Sequence, residues 1–482
     1  MSAHASTVSS RRAAIDVIVQ IVGQIMNLAF GVVVTLLIVR SLGTTRFGEW
    51  STIFAMSGLI GYFTSFGLSG VAVRFATAEP EREAEWIGAY ATLTAAITVP
   101  TLILYAVLMQ IISRTHEMRV ASLVISLVYL AGIGSSVSTI FRLRVRNDVN
   151  VLFITANSVL WGLAVIAITA RGGGMIPLAT AFVAVLALVQ WTQALLAVRI
   201  APPRLRGSTK LWRTLAHVGI PVGLGTMLTV AYARVDQLLV FELAPHHSEA
   251  GIYGAIYRVL DQAGFVPAAV MTTLFPIISA AHPSDPLRVR RLVQLAIDYL
   301  ATISLPVLAF TTAAAHPLIH LLFGAAYDRG ANAMPALMAA YVVICFGYIS
   351  GNMIVATNLQ RRYVTYALVG LIVNVGLNLM LIPLYGYLAA AWITLLTNVV
   401  VIVPALRAVM RELDMRISPR RLLRTAIAAT ASGIAIAILR DVGVPFGGLV
   451  AAMLICYVPL LLVLKAVDLA EIREVMSSRR TT

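Results

Sequence analysis

The sequence predicts an all-α, polytopic membrane protein of about fourteen transmembrane helices, and three observations predict it. Of 482 residues, 59% are hydrophobic and only 12% charged, where average soluble domains carry ~25% charge. So few charges cannot cover a water-facing surface on so long a chain, but they suit a lipid-facing one. The apolar residues also fall into fourteen runs, each near the ~20 residues a helix needs to cross a bilayer. Finally, Lys and Arg crowd alternate connections between those runs.

The runs cover roughly 15–39, 50–73, 86–112, 120–141, 151–170, 176–198, 214–241, 252–280, 292–315, 334–357, 363–382, 387–406, 422–439 and 445–464. The first is too long for the apolar core of a signal peptide and is expected to remain as an anchor. The stretch from His316 to Arg329 reads as a short amphipathic excursion at the outer surface.

With a cytoplasmic N-terminus, the inner segments hold 27 of the 36 Lys and Arg residues and the outer segments hold 7, with Arg234 and Arg258 inside spans. This is the positive-inside distribution. It predicts an even number of spans and both termini in the cytoplasm, in an inner (plasma) membrane. It also accounts for the net charge of +15 without nucleic acid, because the basic residues lie in short clusters between apolar runs and not on one face of a soluble domain.

A weak internal repeat divides the chain. Phe47-Gly48-Glu49-Trp50 opens the second span and Ala250-Gly251-Ile252-Tyr253 opens the eighth, 203 residues later. Spans 1–3 map onto 7–9 at that offset, and spans 5–6 onto 11–12 at about 212. An even number of helices per unit gives two copies of the same orientation, related by an axis along the membrane normal. The expected organisation is a six-helix lobe over 1–200, a second over 201–412, and two additional helices with a cytoplasmic tail over 413–482.

Polar residues inside the runs are the candidate site. In the first span Asp16, Gln20, Gln24 and Asn27 share one helical face. Such a stripe lines a cavity or forms a hydrogen-bonded seam with another helix. The seventh span carries Arg234 and Asp236, two residues apart and therefore on nearly opposite faces. The eighth carries Tyr257, Arg258 and Asp261 at depths that allow a cross-helix pair such as Asp236–Arg258. Ionisable residues in spans are functional candidates by default, a structural ion pair being the alternative. Asn374 and Asn378, one turn apart in the eleventh span, fit a packing seam as well as a cavity wall. Arg40 and Arg74 close the first two spans and face either the cavity or the interface, to which long cationic side chains snorkel. Asp236, Asp261 and Asp298 are the candidate ion-coupling carboxylates.

Other chemistry finds little support. Cys345 and Cys456 lie far apart in apolar runs, with neither metal-ligand nor disulfide-framework spacing. His246-His247 lack a metal-spaced partner, and Gly172-Gly173-Gly174 is a short connection, not a phosphate-binding turn. No connection exceeds about twenty residues, so no ATP-binding domain and no cofactor are expected. Energy for uphill transport would come from an ion gradient, the substrate gradient or a partner.

Several motifs resemble a known family. Val39-Arg40-Ser41-Leu42-Gly43, Phe47-Gly48, Phe66-Gly67-Leu68-Ser69 and Val73-Arg74-Phe75 look like the N-terminal pattern of bacterial polysaccharide-biosynthesis flippases, the O-antigen (Wzx-type) lipid-linked oligosaccharide translocases. Gly251-Ile252-Tyr253 with Tyr257-Arg258, Phe275-Pro276, Leu322-Phe323-Gly324 with Tyr327, and Asn378 through Ile382-Pro383 to Tyr385-Gly386 extend the resemblance over nearly the whole chain. The resemblance implies the two-lobed fold of multidrug and toxin extrusion transporters and the lipid II flippase. It also implies a central cationic cavity, for which Arg40, Arg74, Arg234 and Arg258 are the matching arginines. The implied function is a flippase for a lipid-linked oligosaccharide, with polysaccharide polymerase and glycosyltransferase partners. A small-molecule exporter of the same fold and a membrane-embedded glycosyltransferase or polymerase are the alternatives.

Overall fold

A computed structural model describes residues 2–143, 147–205, 208–357 and 359–466, with side chains from Phe30 onward except at positions 65, 142, 147, 148, 221 and 222. The chain forms α1 (Ser2–Ser65), α2 (Leu68–Ala78), α3 (Glu83–Ile112), α4 (His116–Ser126), α5 (Val128–Ser138), α6 (Ile140–Leu143), α7 (Asn147–Ala170), α8 (Met175–Ile200) and α9 (Thr209–Leu243). There follow α10 (Glu249–Ala263), α11 (Phe265–Ala281), α12 (Pro286–Ala313), α13 (Ala315–Phe323), α14 (Met334–Ala356), α15 (Gln360–Glu412), α16 (Pro419–Asp441) and α17 (Phe446–Val463). Short 3-10 turns cover Pro80–Arg82 and Ala325–Ala333, and no strand occurs among the described residues.

Two helices are too long for one crossing. α1 has 64 residues and α15 has 53, so each drawn straight would measure roughly 80–95 Å at 1.5 Å per residue, against ~30 Å of hydrocarbon. Each is folded at a glycine in a conformation that side chains avoid: Gly43 (φ 70, ψ 175) in α1 and Gly386 (φ 57, ψ −140) in α15. These two helices therefore supply spans 1–2 and 11–12.

The remaining spans follow the sequence reading. The second continues past Gly67 into α2, the fourth is α4 with α5, and the eighth is α10 with α11. The seventh is α9, bent by 55° between Ile220 and Gly223. With α9 taken as one bent span, the described residues hold twelve helices long and apolar enough to cross a membrane, and dividing α1 and α15 at their glycines brings the crossings to fourteen, as expected. The segment read as an amphipathic excursion is α13 and the 3-10 turn after it, where the buried Tyr327 ring packs 5.8 Å from that of Phe323. Outward faces are apolar: Ile111 and Val463 are 75% and 76% exposed. Polar groups such as Asp236, Asn378 and Thr397 are buried. This distribution is that of a multi-pass membrane protein.

The chain forms two compact units, Met1–Gly254 and Ala255–Thr482. In the first, α1 lies against α3, α7 and α9, and α5 packs on α3 and α8. Because α9 also lies along α2 and α3, the seventh span is packed with the first six. The linker ahead of α9 is pinned as well. The Arg204 N–H donates to the Ala84 carbonyl (2.9 Å), and its guanidinium to Glu85 (3.1 Å). The Arg204 backbone passes so close to α3 that a Cβ on Gly88 would lie 2.0 Å from its oxygen.

In the second unit α12 is central, packing against α11, α14 and α16, while α14 packs on α15 and α16 on α17. The last two helices are fastened to α12. The Tyr457 hydroxyl donates to the Thr302 carbonyl (2.7 Å) and Arg440 to that of Ala313 (2.7 Å), around an apolar core that includes Ile436 and Met453.

Candidate functional site

The polar groups read from the sequence are distributed over both units. In the first, the end of α9 and the start of α10 form an antiparallel hairpin, and two adjacent residues stitch it. Asp236, 1% exposed, accepts from the backbone N–H of Gln237 (2.8 Å) and from the Tyr253 hydroxyl of α10 (2.5 Å). Gln237 donates its side-chain amide to the Ala250 carbonyl (3.0 Å). Arg234, two residues before Asp236, is half-buried; Arg40 on α1 and Arg74 on α2 are exposed. Gln24 and Asn27 lie on α1 but outside the residues whose side chains are described, as does the rest of the first-span stripe.

The start of α10 meets the part of α1 beyond Gly43. A Cβ on Gly251 would lie 1.7 Å from the Thr44 carbonyl oxygen, and one on Gly48 would lie 2.8 Å from the Gly251 nitrogen. Gly48 and Gly251 are the equivalent glycines of the two repeat motifs.

Sequence reasoning missed a polar band around the same end of the first unit. The Arg114 guanidinium, between α3 and α4, bonds the Glu242 carbonyl (3.2 Å) and the His247 ring, and lies 4.7 Å over the Phe241 ring. Glu49, 4% exposed, accepts from the Thr115 hydroxyl (3.1 Å). Glu117 accepts from the Met175 N–H (2.8 Å) and pairs with Arg46 (3.5 Å). These contacts join α1 and the α3–α4 connection to the α7–α8 and α9–α10 connections. In the sequence the arginines among them counted only toward topology, and Glu49 only as part of the repeat motif.

In the second unit, Tyr257 on α10 is buried, and Arg258 and Asp261 are half-buried. One turn beyond Asp261, a Cβ on Gly264 would lie 3.6 Å from the Tyr348 hydroxyl of α14. Asp298 of α12, 6% exposed, accepts from the Gln294 amide (2.9 Å) and from Arg421 of α16 (3.4 Å), and Gln294 in turn accepts from the Ser418 N–H (3.0 Å). This cluster docks the start of α16 onto α12. Asn378 donates to Asn374 (3.0 Å), which donates to the Thr397 hydroxyl (3.1 Å). Those three side chains form a buried polar ladder between the two halves of α15. Among the described residues, no group of three His, Cys, Asp or Glu side chains is placed to hold a metal ion.

The family described as "Polysaccharide biosynthesis protein" matches residues 14–282, more than half of the chain. A probable flippase, AglR of Haloferax volcanii, is 26% identical over 165 residues. That match spans 33% of this chain and about a third (34%) of the relative's own length. Among solved structures, the lipid II flippase MurJ in an inward closed conformation superposes with a TM-score of 0.75 at 12% identity, covering 92% of this chain and 98% of that one. An inward-facing multidrug resistance MATE family transporter of the MOP superfamily gives 0.61 at 15% identity, covering 82% and 98%. At these identities the structural likeness is one of fold, and it is the fold the sequence predicted.

Proposed function

The chain belongs to the polysaccharide biosynthesis protein family, and from that membership we propose that it is a flippase that carries a lipid-linked oligosaccharide, on a polyprenyl pyrophosphate, across the inner membrane. The product would feed a cell-surface or extracellular polysaccharide. Both termini would lie in the cytoplasm, where glycosyltransferases build the substrate, and a polymerase would receive it on the far side.

The physical problem is the head group. Moving an ion into a low-dielectric medium costs ~20 kcal/mol in the idealised Born limit, and each unpaired hydroxyl adds roughly 2–7 kcal/mol. Guanidinium groups offset phosphate charge, best in bidentate geometry, while the prenyl tail stays in the lipid. The observation that carries the reading is the pair of in-span arginines, Arg234 and Arg258. Both are half-buried, in a chain that is only 12% charged. Arg40, Arg74, Tyr257 and, once their surroundings are wet, Gln24 and Asn27 would add contacts to phosphate and sugar. Asn374 and Asn378 would contribute from a seam. Asp236 and Asp261 are the carboxylates proposed to couple transport to an ion, with Asp298 a third candidate.

The test is reconstitution of the purified chain into vesicles with a defined lipid-linked oligosaccharide whose head-group leaflet can be read. Wild type should move the head group, and Arg258→Ala should slow it roughly 10–100-fold, the value of one charge-assisted hydrogen bond, while still inserting stably. Normal flipping by the inserted variant would remove Arg258 from the mechanism. Flipping absent in wild type, with efflux of small cations in its place, would favour an exporter.

A further inference from the structure

The first unit carries a second polar-and-apolar pair of sites that the transport reading does not use. It lies along the seam where α2 and α3 meet the first half of α9. At the end where α3 begins, a cavity of about 1020 Å³ is lined by Glu79, Arg82, Glu85, Arg204 and Lys210. Further along the same three helices, an apolar groove of about 440 Å³ is lined by Phe63, Phe66, Leu93, Ala96, Pro100 and Ile220. On α3, Leu93 and Leu104 lie seven and eighteen residues beyond Trp86, or about 10 and 27 Å at the helical rise. The groove thus starts a short way below the polar cavity and continues past the ~15 Å that one leaflet's chains occupy.

The charges of the cavity are mostly spent on one another. Arg82 donates to Glu79 (2.7 Å) and Glu85 (3.0 Å), Arg204 donates to Glu85 (3.1 Å), and the Trp86 indole donates to Glu79 (3.2 Å). Lys210 is exposed and has no acidic partner within ion-pair distance among the described residues. Three cations against two carboxylates leave one net positive charge, at the first turn of α9, where the helix dipole also favours an anion. One positive charge matches a phosphodiester, which carries one negative charge, better than a pyrophosphate.

We propose that this seam is the resident site of one anionic phospholipid, with its phosphodiester at Lys210 and Arg204 and an acyl chain in the α2–α3–α9 groove. The positive-inside distribution places it in the cytoplasmic leaflet. The site is independent of what the protein transports. Its role would be to fasten the seventh span and its linker to the first half of the chain from the lipid side.

The full chain can be reconstituted into nanodiscs of phosphatidylethanolamine with equal parts phosphatidylglycerol, phosphatidylcholine and a long prenyl phosphate. After detergent stripping, native mass spectrometry reads the lipid that stays. Wild type should keep one phosphatidylglycerol per chain, about tenfold over phosphatidylcholine. Lys210→Glu should lower that retention by about fivefold or more, since each basic residue near an anionic lipid contributes that order. Ala96→Trp, which fills the groove, should lower it too, and Lys465→Glu, outside the lining of both cavities, should not. Lys210 is exposed, so its replacement tests the site even if the tryptophan variant fails to insert. Equal retention of the two phospholipids, or wild-type retention by Lys210→Glu, would overturn the proposal. So would preferential retention of the prenyl phosphate, which would assign the seam to the carrier lipid.

Discussion

Two seams in this molecule are built in opposite ways. Where α1 meets α10, the contact is backbone against backbone: Gly48, Thr44 and Gly251 touch with almost no side chain between them. Where the two halves of α15 meet, Asn374, Asn378 and Thr397 form a buried polar ladder. Parting the first forfeits van der Waals contact and little else, because main-chain groups there are bonded within their own helices. Parting the second would break the Asn374–Thr397 hydrogen bond that crosses it and strand that amide and hydroxyl in an apolar interior, at about 1–3 kcal/mol for each unsatisfied group. The glycine seam is therefore the one that can separate cheaply, and the amide seam is the one that holds its shape.

Three substitutions would break or sharpen that contrast. Gly251→Leu should have the largest effect, because its Cβ would lie 1.7 Å from a carbonyl oxygen that cannot swing aside. Overpacking of this kind costs roughly 3 kcal/mol, and the variant should show a sharply lower melting temperature in detergent; an unchanged one would mean that the seam is already loose. Arg421→Ala comes next. It leaves the buried Asp298 carboxylate with Gln294 but without its guanidinium. Breaking a buried pair costs roughly 3–5 kcal/mol, and the partial exposure of Arg421 brings the expectation down to about 2 kcal/mol. Replacing both partners with apolar residues should recover most of it, and failure to recover would show that the pair does more than fasten α16. Smallest is the coupling between Asn374→Ala and Thr397→Val in a double-mutant cycle, expected near 0.6 kcal/mol, as for other hydrogen bonds inside membrane proteins. A coupling of zero would erase the distinction between the seams.

Much of the fold was legible in the sequence because a bilayer imposes few rules and strict ones. Run length and the alternation of Lys and Arg marked the fourteen crossings, and the His316–Arg329 excursion appeared where the apolar pattern failed. Fusion of spans into single helices at Gly43 and Gly386 was not legible, because one left-handed glycine reverses the chain without the turn-rich segment that usually marks a reversal. The site was less legible than the fold. Spacing along one helix paired Asn374 with Asn378 and set Asp236 beside the next hairpin helix. It could not pair Asp298 with Arg421, which lie 123 residues apart. It also gave no partner to Glu49, which it placed in the repeat motif, or to Arg114, which it counted among the outer basic residues, since what they grip comes from other parts of the chain.

The pinning of Arg204 to the first turn of α3 turns the connection between the repeats into a short leash. Only three residues separate Arg204 from Ser208, the residue that caps α9, and the four steps between them reach at most about 14 Å when extended. Travel of the head of α9 away from α3 beyond that length must first peel Arg204 off Ala84 and Glu85. The linker thus adds one backbone hydrogen bond and one surface ion pair to the Trp212–Thr92 hydrogen bond and the apolar packing that already hold the head of α9 against α3.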